Sequence, residues 1–253
     1  MTETAVTLLS INAAEPQALR IGTRLTRTGH FKQARSGEVL IGAGGIAGDF
    51  IADLKHHGGP DQAVYLYSQV DIDWWSEQLQ RPLEPGFFGE NLTLSHWWPE
   101  LRIGDRVRIG ELLLEITAPR IPCSTLAARV GDSRFAKAFV KAERCGAYAR
   151  VLNEGVVCVG QTLAVTPGET AFPSINEVFR YCHSKGLNPN FLRRLLDAPL
   201  AEKMRAEMQL DSNVTDAKRV AVTDEELYWT FDGEYWKDEL GYYFFTVNTE
   251  CKR

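Results

Sequence analysis

The chain has 253 residues, 44% of them hydrophobic and 24% charged, and carries a formal net charge of −5. It is long enough for a substantial core and more than one domain, with the composition of an ordinary globular protein. It lacks the basic footprint of a non-specific nucleic-acid binder, and no run nears the roughly 18 apolar residues of a membrane span, so neither nucleic acid nor a membrane is an expected partner.

The N-terminal stretch carries Glu3 where a secretory leader would be basic. The five cysteines (123, 145, 158, 182, 251) are odd in number, scattered, and form no CxxC pair. The expectation is a reduced, cytoplasmic chain, not a disulfide framework or a zinc site.

Residues 5–12 read as a strand, and a second strand is predicted from Ala18 to Arg27. Thr28 to Gly37 is polar, basic and punctuated by glycine, which marks a loop or hairpin. Glu38–Ile41 is a short strand, and Gly44–Asp49 a turn cluster. His56-His57-Gly58-Gly59-Pro60-Asp61-Gln62 leads into an apolar, aromatic strand over 63–67. Ser68 can cap a helix with Asp71 three residues on, and Ile72, Trp75 and Leu79 supply its buried stripe.

Residues 85–94 are a glycine-rich turn running into a strand. Residues 101–109 alternate as a strand with a turn or bulge at Gly104-Asp105, and Gly110-Glu111 turns into another strand at 112–117. Leu126–Val130 can open a helical turn. Asp132 or Ser133 is the expected cap of a helix reaching Glu143, with Phe135, Phe139 and Ala142 on one face. Strands at 156–159 and 162–165 close the unit at Pro167-Gly168. Many short strands with few helices and no parallel βαβ repeats favour a closed or nearly closed β-barrel over a doubly wound sheet.

The pattern then changes. Ser174 and Glu177 form a capping box, and Gly186 is the expected end of that helix. Asn190 is read as the cap of a second helix. Pro199 begins a third, with Leu200, Met204 and Met208 on one stripe. Beyond Val214, Tyr228–Phe231, Tyr235-Trp236 and Tyr242–Val247 alternate with Asp232-Gly233 and Leu240-Gly241 turns, as in a small β appendage. The expected class is therefore α+β, mainly β with helices. It comprises a β-barrel over 1–168, a three-helix module over 169–212 and a β-rich aromatic appendage over 213–253.

The residues that can carry chemistry centre on Pro119-Arg120-Ile121-Pro122-Cys123-Ser124, where a strand leaves the core. A free cysteine is commonly a small buried hydrophobe. Arg120 and a following helix start favour the thiolate, which is a soft metal ligand. With a histidine base from His56, His57 or His96, the same thiolate would be a nucleophile. All three readings stay open on this ground alone. His56 and His57 are adjacent, so their side chains diverge and do not clamp one metal. His56 is read as a hydrogen-bonding loop residue and His57, beside Gly58-Gly59, as a ligand contact. The Gly-Gly turns match no P-loop or dinucleotide fingerprint. Lys32, Arg24 and Arg120 can add positive charge, and Glu90-Asn91 follows Gly89 in a turn.

Six of these pieces together resemble the MOSC domain, named for the C-terminal region of molybdenum cofactor sulfurases. They are Thr28–Lys32, Gly45–Asp49, His57–Val64, Phe88–Leu92, Ile103–Asp105 and Pro119–Cys123, in that order across about residues 20–166. The helical module is similar to the extension of one bacterial branch, the hydroxylaminopurine-resistance proteins. The resemblance implies a β-barrel with a molybdenum cofactor (molybdopterin) in a cleft, and Cys123 as catalytic residue and molybdenum ligand. It places Asn91 and Arg120 on the pterin or its phosphate, and the loop of His57, Gly58, Gly59, Asp61 and Gln62 along the same cleft. Glu90, Lys32 and Ser124 complete the expected cofactor contacts.

The implied chemistry is reduction of N-hydroxylated compounds, such as hydroxylaminopurine, to amines. The alternatives are a non-catalytic carrier of cofactor or sulfur and, third, a cysteine hydrolase. The chain has no flavin, haem or iron–sulfur motif, so electrons are expected from a separate, flavin-containing reductase. The helical module and aromatic tail are the expected surfaces for that contact or for a homodimer, with plain core packing as the alternative.

Overall fold

Strands buried along most of their length pair into an eight-stranded mixed sheet that curls until its ends nearly meet. The computed structural model describes residues 5–54, 57–184, 188–216, 235–237 and 243–245. The chain divides into two compact units, Met1–Asn213 and Val214–Arg253.

The first unit opens with β1 (Leu8–Ala13), β2 (Gln17–Ile21), β3 (Arg24–Thr28), β4 (Gln33–Ala34), β5 (Val39–Gly42), β6 (Gly45–Ile46) and β7 (Val64–Ser68). Helix α1 (Gln69–Gln78), β8 (Leu92–Leu94), β9 (Arg106–Ile109) and β10 (Leu112–Pro119) follow. Helices α2 (Ser124–Val130) and α3 (Phe135–Ala142) precede β11 (Ala147–Asn153), β12 (Gly155–Val157) and β13 (Ala164–Thr166). The helices α4 (Ile175–Cys182), α5 (Pro189–Asp197) and α6 (Glu202–Asp216) come last.

The main sheet runs β13-β9-β10-β11-β7-β8-β1-β4. The stretch just before β13 returns to the free side of β1: Leu8 N donates to Gln161 O (2.9 Å), Gly160 N to Leu8 O (2.8 Å) and Leu163 N to Val6 O (2.9 Å). These bonds satisfy the edge that an open sheet would leave unpaired, and they give the nearly closed barrel expected. A smaller sheet, β12-β5-β6, lies beside it. Gly45, at φ +95°, permits this junction, because a Cβ there would lie 2.4 Å from Ala63 O.

Several local expectations are corrected. The single strand predicted from Ala18 to Arg27 is a hairpin, β2 with β3, turned at Gly22 with φ +58°. The turn read at Gly104-Asp105 is present, with Gly104 at φ +86°, so the strand predicted from Leu101 runs only from Arg106. β11 was not anticipated, although it pairs with both β10 and β7. One parallel pair exists, β7 with β8, joined by α1 as a single βαβ unit.

Among the helices, Ser68 and Ser174 cap as read, the latter in a full capping box with Glu177. Neither Asp132 nor Ser133 caps α3. The cap position is Arg134, whose N–H donates to Asp132 Oδ1 at 2.8 Å. Asn188, not Asn190, caps α5, since Pro189 occupies the first helical position and keeps its predecessor extended. The third module helix begins at Glu202, three residues past Pro199. Gly186, His56, Cys251 and most of the aromatic tail lie outside the described residues.

The core is strongly aromatic on one side. Trp75 of α1 packs against Phe88, Phe135 and Phe139 at centroid distances of 6.1, 4.8 and 5.9 Å, and Phe139 meets Phe179 of α4 at 6.3 Å. Burying each such side chain contributes on the order of 1.5–3 kcal/mol. This stack fixes Phe88, whose main chain then reaches the cysteine loop. The second unit shows one antiparallel pair, β14 (Tyr235–Lys237) with β15 (Tyr243–Phe245), in register Trp236 to Phe244. Among the described residues, no helix is long and apolar enough to cross a membrane.

Candidate active site

β10 ends at Pro119, and the chain stays extended through Pro122 until Cys123 takes the cap position of α2 at φ −133°, ψ 168°. The sulfur is half-buried where strand gives way to helix. Arg120, three residues earlier, turns inward and is 3% exposed. Its Nη1 donates to Phe88 O at 2.6 Å, its Nη2 lies 3.8 Å from Cys123 Sγ, and its guanidinium sits 5.3 Å from the centre of the Tyr65 ring. Among the described residues no carboxylate lies within ion-pair distance of Arg120, and its Nε has no partner. A buried cation in that condition calls for an anion.

Cys123 supplies part of that charge. Burial alone pushes its thiol up, but a hydrogen bond from His57, the charges of Arg120 and His57, and the Leu126 backbone together hold it down at about 6. The bond lowers the value, so His57 donates to the thiolate.

On the far side of Arg120, Nη2 meets His30 Nε2 at 3.2 Å. Arginine is always protonated, so it donates and His30 accepts, leaving the imidazole proton on Nδ1. That Nδ1 is buried and unpartnered. Burial first, then the charge of Arg120, hold the His30 pKa well below the usual range, consistent with a neutral ring.

Asp49 organises the adjoining wall. It forms a buried ion pair with Lys32 and accepts from Asn91 Nδ2 (2.8 Å) and Ala14 N (2.8 Å). Asn91 also donates to Asn12 O (3.2 Å) and accepts from Tyr65 N (3.1 Å). Its amide is thus engaged on every side by protein, and it aligns the main chain that carries Phe88. Burial lowers the Lys32 pKa against the opposing pull of Asp49. Glu90 accepts from Gly86 N (2.5 Å), Phe88 N (3.1 Å) and Thr93 Oγ1 (3.1 Å), stapling the glycine turn from inside. Gly89 is needed in that turn: at φ +81° it faces the His30 ring, which a Cβ would approach to 3.3 Å.

The structure therefore brings Cys123 and Arg120 together, with His57 near enough to help lower the thiol pKa and Lys32, Asn91 and Glu90 in the supporting wall. Gly58 and Gly59, at φ +72° and +87°, shape the His57 loop. Gln62 is buried with an unpartnered Oε1. Asp61 is directed to other work. It pairs with Arg150 (3.1 Å) and accepts from Glu202 N (2.8 Å). Ser124 is exposed at the first position of α2. The roles of His30 and Asp49 were not anticipated, because His30 acts on Arg120 and Asp49 on Lys32, 90 and 17 positions away along the chain.

A family model described as "MOSC domain" matches residues 53–164. Protein YflK of Bacillus subtilis (strain 168) is 33% identical over 208 residues, covering 81% of this chain and 94% of YflK. The chain belongs to the MOSC domain family. A protein named "Reductase" from Gibberella moniliformis is 31% identical over 202 residues, 77% of this chain but 35% of that protein. Protein YiiM of Escherichia coli (strain K12) is 32% identical over 126 residues, covering 48% and 56%.

The crystal structure of YiiM from Geobacillus stearothermophilus superposes with a TM-score of 0.67 at 27% identity, covering 81% of this chain and 98% of that one. YiiM from Escherichia coli shares the fold, with a TM-score of 0.65 at 20% identity and coverage of 87% and 98%.

The MOSC site can be tested for a molybdenum cofactor on its own donors. Arg120 and His30 leave Nε and Nδ1 unpartnered in a buried place, and the one soft ligand at hand is already held toward the thiolate. A soft metal carried by an anionic organic group fits that set. Among the described residues no three His, Cys, Asp or Glu side chains converge on a metal position, so the remaining ligands would be the cofactor's own.

Proposed function

We propose that this MOSC protein is a molybdenum-cofactor-dependent reductase of N-hydroxylated compounds, of the hydroxylaminopurine type. The observation that carries the reading is Cys123 itself, a half-buried thiol held toward its anion at about 6, beside a buried Arg120 with no carboxylate partner. The "Reductase" name of the Gibberella moniliformis relative and the likeness to YiiM support the direction of the chemistry.

Bound molybdenum cofactor would supply the two-electron couple for R–NHOH + 2e⁻ + 2H⁺ → R–NH₂ + H₂O. Cys123 Sγ would ligate the metal, and Arg120 would balance the negative charge there. His57, hydrogen-bonded to the thiolate, is placed to hold and pass a proton at the cleft. His30 and Phe88 O fix the guanidinium, so the charge needs no rearrangement as substrate changes. Lys32, paired with Asp49, would steady the wall behind the anionic cofactor without meeting it directly. Electrons come from a separate donor, by class a flavin-containing reductase.

The direct test is molybdenum and pterin content of protein made with cofactor supply, beside Cys123→Ala, followed by hydroxylaminopurine reduction with a chemical donor. The expected result is near one molybdenum per chain in wild type and a loss of at least about tenfold in both loading and turnover in the variant. Folded wild type with no molybdenum would sink the reading.

The His57–Cys123 hydrogen bond also favours a second reading, a cysteine hydrolase. That reading expects a stable acyl adduct on Cys123 in metal-free protein, and no loss of activity on chelation.

A further inference from the structure

We propose that the outward face of the β2–β3 hairpin is the docking surface for an acidic, flavin-bearing electron donor. Residues 16–37 include Arg20, Arg24, Arg27, Lys32 and Arg35 and no aspartate or glutamate. The chain as a whole is at −5, so its remaining residues together are twice as negative. Lys32 is paired with Asp49, but the four arginines are exposed. Among the described residues none of the four has a carboxylate within ion-pair distance.

The hairpin sorts these residues between its two faces. In the antiparallel register Ala18 stands opposite Arg27 and Arg20 opposite Leu25, while Leu19 stands opposite Thr26 and Ile21 opposite Arg24. Paired residues share a face, and neighbours along a strand alternate. Leu19, Ile21 and Thr26 are half-buried, which marks the side turned to the protein, and β2 packs against α2. Ala18, Arg20, Leu25 and Arg27 are all exposed and form the open face. That face is held at its base, where the Arg27 guanidinium sits 5.5 Å from the centre of the Phe50 ring and a Cβ at Gly29 would lie 1.6 Å from Phe50 O.

Leu25 is 63% exposed beside the two arginines. An apolar centre flanked by arginine is the make-up of a protein interface. Two arginines beside one leucine are too few for nucleic acid, whose binders neutralise several phosphates, but they match a small acidic patch on a protein. On a chain that is otherwise acidic, a local basic face also orients such a partner, because the remaining surface repels it.

The donor class rests on the reductase reading, whose two-electron demand a reduced flavin meets. The balance is FlH⁻ + R–NHOH + H⁺ → Fl + R–NH₂ + H₂O. The flavin loses two electrons and a proton, the N–O bond breaks, an N–H bond forms and the oxygen leaves as water. The location suits this delivery. Helix α2, on which the hairpin packs, starts at Ser124 directly after Cys123, and its seven residues span about 10 Å.

The test is the fluorescence anisotropy of dye-labelled bacterial flavodoxin, an acidic FMN protein, titrated with the full-length chain made without cofactor. Wild type is expected to bind at about 0.01 M ionic strength and at least about tenfold more weakly at about 0.15 M. Arg20→Gln with Arg27→Gln should weaken binding about three- to tenfold. Arg108→Gln with Arg193→Gln, an equal loss of charge on β9 and α5, should weaken it less than about twofold. In loaded protein the hairpin variant should lose the same factor in turnover driven by reduced flavodoxin and keep its turnover with dithionite.

No binding by wild type at low ionic strength overturns the proposal, as does equal weakening in the two double variants. Tighter binding to single-stranded DNA or to phosphatidylglycerol vesicles, lost with Arg20 and Arg27, would also overturn it and reassign the face. If the Arg27 change unfolds the chain, Arg20→Glu with Leu25→Ser is judged by the same titration. Molybdenum content reports separately on the reductase reading. A salt-sensitive flavodoxin complex with no molybdenum in wild type sinks that reading alone, and dithionite turnover without flavodoxin binding sinks the hairpin alone.

Discussion

Two regions of the MOSC unit are built around arginines, and they handle charge in opposite ways. One is a cleft of about 800 Å³ between α4 and the Trp97-Trp98 loop, lined by Arg102, Arg144, Arg180 and Arg194. Every one of those guanidiniums has a carboxylate: Glu100 (2.8 Å), Asp71, Glu143 (2.8 Å) and Glu177 (3.8 Å), respectively. The other is the Cys123 site, where Arg120 is more deeply buried and has none. Volume alone would direct attention to the first region. Charge balance directs it to the second, because a cleft whose ions are all paired asks nothing of a ligand, whereas an unmatched buried cation does.

The largest expected effect breaks the unmatched side. Arg120→Met removes the cation, its bond to Phe88 O and its pull on Cys123. Molybdenum loading should fall at least about tenfold, while urea unfolding of metal-free protein should show a loss of only about 1–3 kcal/mol, the cost of leaving the buried Phe88 O without its donor. A large loss of stability with normal loading would show that Arg120 is a structural cation like those of the other cleft.

A second prediction sharpens the balance from the acid at the same site. Glu90 is pushed up to about 7, chiefly by burial, against the opposing hydrogen bonds from Gly86, Thr93 and Phe88. The folded state therefore holds a proton that the unfolded chain releases near 4.5. This contribution to stability is full below about pH 4.5 and is lost as pH rises through 7, by up to about 3 kcal/mol. Denaturant unfolding between pH 5 and 8 should show the decline, and Glu90→Gln should flatten it. A slope unchanged in Glu90→Gln would assign the decline to another group.

The smallest effect belongs to the matched side. Arg144→Met leaves Asp71 buried, though Asp71 still accepts from Ser68 Oγ (2.8 Å) and Trp97 Nε1 (2.7 Å). Arg144 is partly exposed, so the expected cost is about 1–3 kcal/mol by urea unfolding, with Cys123 alkylation and metal loading unchanged.

Much of this was legible in the sequence, for reasons that can be stated. The barrel announced itself through many short strands, α1 through Ser68 and its apolar stripe, and the Arg120–Cys123 contact through the spacing of the two residues. Local signals reach only local partners. The hairpin turn at Gly22 hid because a lone glycine, with no proline or asparagine beside it, sat inside a ten-residue run of strand formers, and β11 hid because its inner face, Ala147 and Ala149, is small rather than strongly apolar. Lys32 read as a free cation, but Asp49 claims it. Asp61 read as a cleft residue through the family resemblance of its loop, yet Arg150 and the start of α6 draw it outward. Those pairings are made by barrel closure, and no spacing along the chain encodes them.

That closure also sets an order of assembly. The outer edge of β1 finds its partner only when residues 160–163 have been made, and the His57 loop gains the bonds from Lys203 Nζ to Leu54 O and Gly58 O only with residue 203. At about 5–20 residues per second, the 80 positions between Cys123 and Lys203 correspond to roughly 4–16 s of synthesis. During that interval the thiol has already emerged while the barrel rim and the loop beside it are unfinished. The reactive centre is read out in the middle of the message, yet it is among the last parts of the molecule to be completed.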